Sequence, residues 1–225
     1  MNAKFLWTIL AVATLLSAAS YLACFGETET TEEDGLGDDD TDDDSGGGDD
    51  DGAGYSDECD IDYGANPGCD GSDPACQNAM MINEDRQDNP DESDCAPAIL
   101  WDDDLAEVAR LHSKDMCDRG FFDHVNPDGD DPFDRMADGG VSFVTAGENI
   151  AYGTNGSGIV GTLEDLFMDE PECDLNHRGN ILNRDFRYVG VGIHECGDGN
   201  LYLTQDFVTF DASDLRDDPH EYCEG

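Results

Sequence analysis

Positive charge is scarce in this sequence. Ten lysines and arginines stand against 55 aspartates and glutamates, a formal charge of −45 over 225 residues. Such a chain repels phosphate backbones, which excludes direct nucleic-acid binding and makes cations its natural partners. Long apolar runs are scarce too. The one run, residues 5–16, is shorter than the roughly 20 residues that a membrane-spanning helix needs. Neither G-x-S-x-G nor H-E-x-x-H occurs, so the nucleophile elbow of serine hydrolases and the helical zinc-protease site are both excluded. A single G-x-G-x-x-G match, residues 156–161, lacks the strand that would make it a dinucleotide fingerprint, and reads as a turn into a helix.

The N-terminus has the make-up of an export signal over residues 1–23: Lys4 at its start, the apolar run, then small residues. Nine cysteines are an odd number for an exported chain, and one of them, Cys24, stands at the end of that signal. The stretch YLAC predicts a bacterial lipoprotein cleavage site with lipidation at Cys24, the only route to a membrane that the sequence offers. Ordinary cleavage near Ser20 would instead leave that cysteine free. The other eight, Cys59, Cys69, Cys76, Cys95, Cys117, Cys173, Cys196 and Cys223, can form four disulfides in an oxidising compartment. Sequence alone does not choose among the pairings.

Residues 24–58 form an acidic linker. From position 27 to 62 there are 18 acids and no base, so nothing offsets the entropy of ordering and a disordered tether is expected. Its aspartates lack the ligand spacing of a calcium-binding loop. Residues 59–76 are a cysteine-rich lead-in, and residues 77–225 hold enough apolar material for one domain. From position 76 onward there are still 35 acids against nine bases, which favours a monomer through self-repulsion.

Within the domain, Asp104-x-x-Glu107 followed by Leu105, Val108, Ala109, His112 and Met116 predicts a capped helix over 105–119. A second helix is predicted at 159–168 and a shorter one at 78–86. YVGVGIHEC and LYLTQDFV alternate around GDGN, a hairpin pattern, and 141–152 adds extended chain. Helices and antiparallel strands together give an α+β fold.

The segments MINEDR, ILWDDDLAEVARLHSKDM, GFFDHVNPDGDDPFDRM, AGENIAYG, NHRGNILNRDFRYVGVGI and LYLTQDF, in this order over residues 78–208, closely resemble the CAP superfamily of cysteine-rich secretory, antigen 5 and pathogenesis-related proteins, in its bacterial secreted form. The resemblance implies a three-layer α-β-α sandwich with a central antiparallel sheet. It also implies a cleft lined by two histidines and two acids, where the histidines take a divalent metal such as zinc. The matching positions are His124 in FFDH, Glu148 in GEN, His177 in NHR and Glu170. Glu170 lies three places after Phe167, which stands where the family has tryptophan, with Asp169 and Glu172 competing beside it. The chemistry suits the resemblance: neutral imidazoles bind zinc and nearby carboxylates orient them.

Gln205 is expected to be a buried hydrogen-bonding partner near this cleft, His112 a structural histidine, and His194 and His220 surface groups. Arg178 should pair with a carboxylate while Ile181 and Leu182 enter the core. Three functions follow. One is an exported or lipid-anchored module that binds a metal and a small apolar or cell-envelope ligand. Another is a metal-dependent hydrolase with Glu148 or Glu170 as general base. The third is adhesion through the acidic tether.

Overall fold

The computed structural model describes residues 59, 61–64, 66–171 and 176–215. The export signal, Cys24, the whole acidic linker, Glu172, Cys173, His220 and Cys223 lie outside them. Helix α1, Pro74–Asp88, starts four residues before the sequence predicts, because Asp73 caps it through Ala75 N at 3.0 Å with Pro74 in the first turn.

Helix α2, Asp103–Arg119, corrects the expected cap. Asp102, not Asp104, accepts from Leu105 N at 2.9 Å, while Asp103 and Asp104 occupy the first turn, where negative charge suits the helix dipole. Glu107 turns outward and forks onto Arg110. Gly120 ends the helix at φ 67°, a left-handed cap that reverses the chain.

Four strands form one sheet: β1 (Leu100–Trp101), β2 (Thr145–Thr154), β3 (Tyr188–Glu195) and β4 (Asn200–Thr209), in the order β1-β3-β4-β2. The three long strands are antiparallel, as expected. The two-residue β1 runs parallel to β3 and makes the sheet mixed, a pairing too short to leave a periodic signal.

Alternation along β3 divides the layers. Val189 and Val191 face a core built with Ala79 and Ile82 of α1, Leu163 and Phe167 of helix α4 (Ile159–Met168), and Ile181 and Leu182 of helix α5 (His177–Leu182). On the other face α2 and helix α3 (Pro132–Asp138) enclose Leu105, Val108, Met136 and Val208. Here β3 offers Gly190 and Gly192. A Cβ on either would lie 2.2 or 2.0 Å from the backbone of α2, so the helix rests directly on the strand.

Arg86 is buried at the junction of α1, α5 and β3, where its guanidinium donates to the carbonyls of Ile181, Pro97, Phe186 and Asn183. Disulfides join Cys59 to Cys95, Cys69 to Cys76 and Cys117 to Cys196. The first ties the lead-in to the loop after α1.

Candidate functional site

The free edge of β2 carries two acid–imidazole pairs. Past the Gly120 cap, the edge-to-face packing of Phe122 on Tyr152 (4.8 Å) brings the chain back onto β2 and delivers His124 to Glu148. His124 Nδ1 lies 2.7 Å from Glu148 Oε1. Arg135 of α3 donates to Glu148 Oε2 at 2.5 Å and to the carbonyl of His124 at 2.6 Å, closing the unit. Arg135 is held there by α3, whose cap, Asp131, forms a reciprocal box with Asp134.

His124 and Glu148 are both buried. Burial pushes Glu148 upward, but Arg135, with His112 and His124, outweighs it and holds the carboxyl at about 2. An ionised carboxylate only accepts, so in this bond His124 Nδ1 is the donor.

The second pair forms where α5 begins. Asn176 caps α5 through Gly179 N at 2.7 Å. Glu170, just beyond α4, accepts from the backbone N of His177 at 2.8 Å and from its Nδ1 at 2.7 Å. Burial raises Glu170, yet these bonds from His177 bring its pKa below the usual range. Phe167 stacks on the imidazole. His177 Nε2 is buried without a hydrogen-bond partner among the described residues.

Residues 148 and 149 point to opposite faces of β2, and each serves one pair. Asn149 Nδ2 donates to the His177 carbonyl at 3.1 Å and to Gln205 Oε1 at 2.9 Å, while Asn180 Nδ2 donates to Asn149 Oδ1 at 2.8 Å. His124, through its ring, and His177, through its carbonyl, are thus tied to adjacent residues of one edge strand. Gln205 lies beneath this strand, donating to Asn78 Oδ1 (2.8 Å) and Glu164 Oε2 (2.6 Å).

The chemistry of these donors suits a divalent cation. Each Nδ1 is fixed by a carboxylate, which orients the ring and strengthens its other nitrogen as a ligand, and one of those nitrogens has no competing bond. Among the described residues, one group of three has ligand atoms within 4.8 Å of one another, and it lies elsewhere: Cys117, Asp118 and His194. Its sulfur is bonded to Cys196 and Lys114 pairs with Asp118, so it has little left to coordinate with. His194, expected on the surface, is half-buried there.

Other assignments resolve simply. His112 is structural: its Nε2 meets the Asp123 carbonyl at 3.1 Å, and burial lowers its pKa to about 4. Ser113 donates to the carbonyl of Gly192. Arg178 forks onto Glu92 and reaches the carbonyl of Met168, with Ile181 and Leu182 in the core below. Sequence reasoning gave no role to Arg135, Asn149, Asn180 or Asp206. The i, i+3 spacing of His177 and Asn180 could have flagged one of them. Asp206 faces Glu148 across the β2–β4 ladder, and burial, with that neighbouring charge, raises its pKa well above the usual range.

The family model described as the cysteine-rich secretory protein family, CAP, matches residues 80–207. Two curated relatives come from Bacillus subtilis (strain 168). The uncharacterised protein YkwD is 40% identical over 107 residues, 48% of this chain and 38% of its own. The uncharacterised membrane protein YlbC is 38% identical over 116 residues, 49% of this chain and 28% of its own. The chain thus spans well under half the length of either. Among solved structures, an outer surface protein from Borrelia burgdorferi superposes with a TM-score of 0.53 at 17% identity, covering 64% of this chain and 97% of that one.

Proposed function

This chain belongs to the cysteine-rich secretory protein (CAP) family, and from that premise we propose that it is an exported binding module that holds a divalent cation, zinc by preference, between His124 and His177. The observation that carries this reading is the pair of imidazoles whose Nδ1 atoms are each fixed by a carboxylate, Glu148 for one and Glu170 for the other. Two protein nitrogens make a weak, exchangeable site whose remaining positions belong to water or to a ligand. A bound cation would supply Lewis acidity to a small apolar or cell-envelope molecule with a polar end.

Binding is favoured over hydrolysis because both candidate bases are occupied. Glu148 spends one oxygen on His124 and the other on Arg135, and at about 2 its pKa is far from that of a useful base near neutrality. Glu170 likewise spends both oxygens on His177. Export is supported by the signal-like residues 1–23 and by three disulfides. No helix among the described residues is long and apolar enough to cross a membrane. A lipid on Cys24 would anchor the module, with the acidic linker as its spacer.

Equilibrium dialysis against zinc tests the site. Wild type should take up one equivalent that His124→Ala/His177→Ala loses; equal uptake by both proteins ends the metal assignment.

A further inference from the structure

Beneath the edge strand, α1 and α4 meet through two acids. Glu164 of α4 is buried, and its Oε2 accepts from Asn78 Nδ2 of α1 and Gln205 Nε2 of β4, each at 2.6 Å. Its other oxygen, Oε1, is buried without a hydrogen-bond donor among the described residues, and so is Oδ2 of Asp85 on α1. The two carboxyl groups lie within hydrogen-bonding reach of each other. Two carboxylates in such contact repel strongly in a medium of low polarity, whereas one proton between them makes a short, charge-assisted hydrogen bond.

Among the described residues, no cation is among the groups that act on the pair. Glu84 and Asp88 of α1 and Asp165 of α4 act on Asp85, and the amides of Asn78 and Gln205 complete the setting of Glu164.

We propose that Asp85 and Glu164 hold one proton between them, carried on Glu164 Oε1 and donated to Asp85 Oδ2, and that this proton is a latch fastening α4 to α1 and fixing the place of His177. The link to His177 is physical at three points. One turn beyond Glu164, Phe167 stacks on the imidazole; Glu170 follows directly after the helix and holds Nδ1; and Gln205 connects Glu164 to Asn149, which holds the His177 carbonyl. Release of α4 would loosen all three.

The ionisation of the pair agrees with this arrangement. Burial raises Glu164 to about 8, with the charge of Asp85 adding to it, and burial raises Asp85 to about 6. A raised carboxyl keeps its proton at neutral pH, so the latch is closed there and opens as the pH climbs through about 8. It stands independently of the metal reading, because its readouts need no metal.

The test is a carbon-13 titration of side-chain carboxyls in the full chain from pH 4 to 10, paired with amide hydrogen exchange corrected for intrinsic rates. The Glu164 carboxyl should titrate near 8, far above the ordinary value of about 4.3. Residues 160–168 of α4 should lose protection by at least about tenfold across the same step. Glu164→Gln and Asp85→Asn should each abolish the alkaline loss. Complete titration of both carboxyls below pH 5.5, or the same alkaline loss in Glu164→Gln, overturns the latch. Should either variant fail to fold, the wild-type titration decides alone.

Discussion

Phe167 lies against His177 with ring centroids 4.6 Å apart and ring planes 23° from parallel. The side chain that replaces a tryptophan in the family pattern thus packs one imidazole of the candidate site, and its own burial makes it part of the main core. Phe167→Ala should cost about 3–4 kcal/mol in urea unfolding, as expected for emptying a buried aromatic site. Nitrogen-15 spectra of the imidazole should also show His177 Nδ1 losing its fixed hydrogen bond to Glu170. Phe167→Trp should preserve that bond, because a larger ring can keep the stack.

Glu148 gives the protein a specific response to acid. Its folded pKa of about 2 lies below the unfolded value, so its ion pairs stabilise the fold fully above about pH 4.5. That stability is lost as the pH falls through about 2. The stability at stake is about 3 kcal/mol. Unfolding free energies measured between pH 5 and pH 2 should fall for wild type. Glu148→Gln should start lower and show a flatter slope, since it has no charge to lose.

The seating of α2 on β3 can be probed with one methyl group. Gly192→Ala would put Cβ 2.0 Å from the backbone of α2, and either helix or strand must shift. Overpacking of this kind costs about 1–3 kcal/mol, more where only backbone can yield. Gly197→Ala, in the β3–β4 turn with open space around it, should leave the melting temperature within about 1 °C of wild type.

The bridge between Cys117 and Cys196 closes a loop with a sequence separation of 79, and its removal by Cys117→Ala/Cys196→Ala should lower stability by about 3–4 kcal/mol. If zinc resides at His124 and His177, His194→Ala in the oxidised protein should leave zinc uptake unchanged. Loss of uptake in that variant would place the metal beside the disulfide instead.

Periodic features were the legible ones. The hairpin, α2 and α4 follow from alternation and from a helical apolar stripe, both of which survive in one dimension. The family pattern supplied the layered fold and named His124, Glu148, Glu170 and His177 as neighbours of a cleft, although the sequence could not say which acid pairs with which imidazole. Arg135 was invisible because its role depends on α3 crossing the end of the 121–131 loop. Glu164 and Asp206 read as ordinary acids in a chain full of them, and only their burial against Asp85 and Glu148 distinguishes them. The helix cap moved from Asp104 to Asp102 because four residues, Trp101 to Asp104, contain three equivalent aspartates. Only the parallel contact of Leu100–Trp101 with β3 decides where the helix can begin.

Among the described residues Arg86 bonds only to carbonyl oxygens, in a protein with a large surplus of carboxylates. Its partners are neutral dipoles that neither titrate nor gather counterions. Sodium chloride should therefore ease the mutual repulsion of the acidic exterior while leaving this internal clamp untouched. A shift from brackish to concentrated brine would tighten the molecule from outside without loosening the knot that joins its three segments.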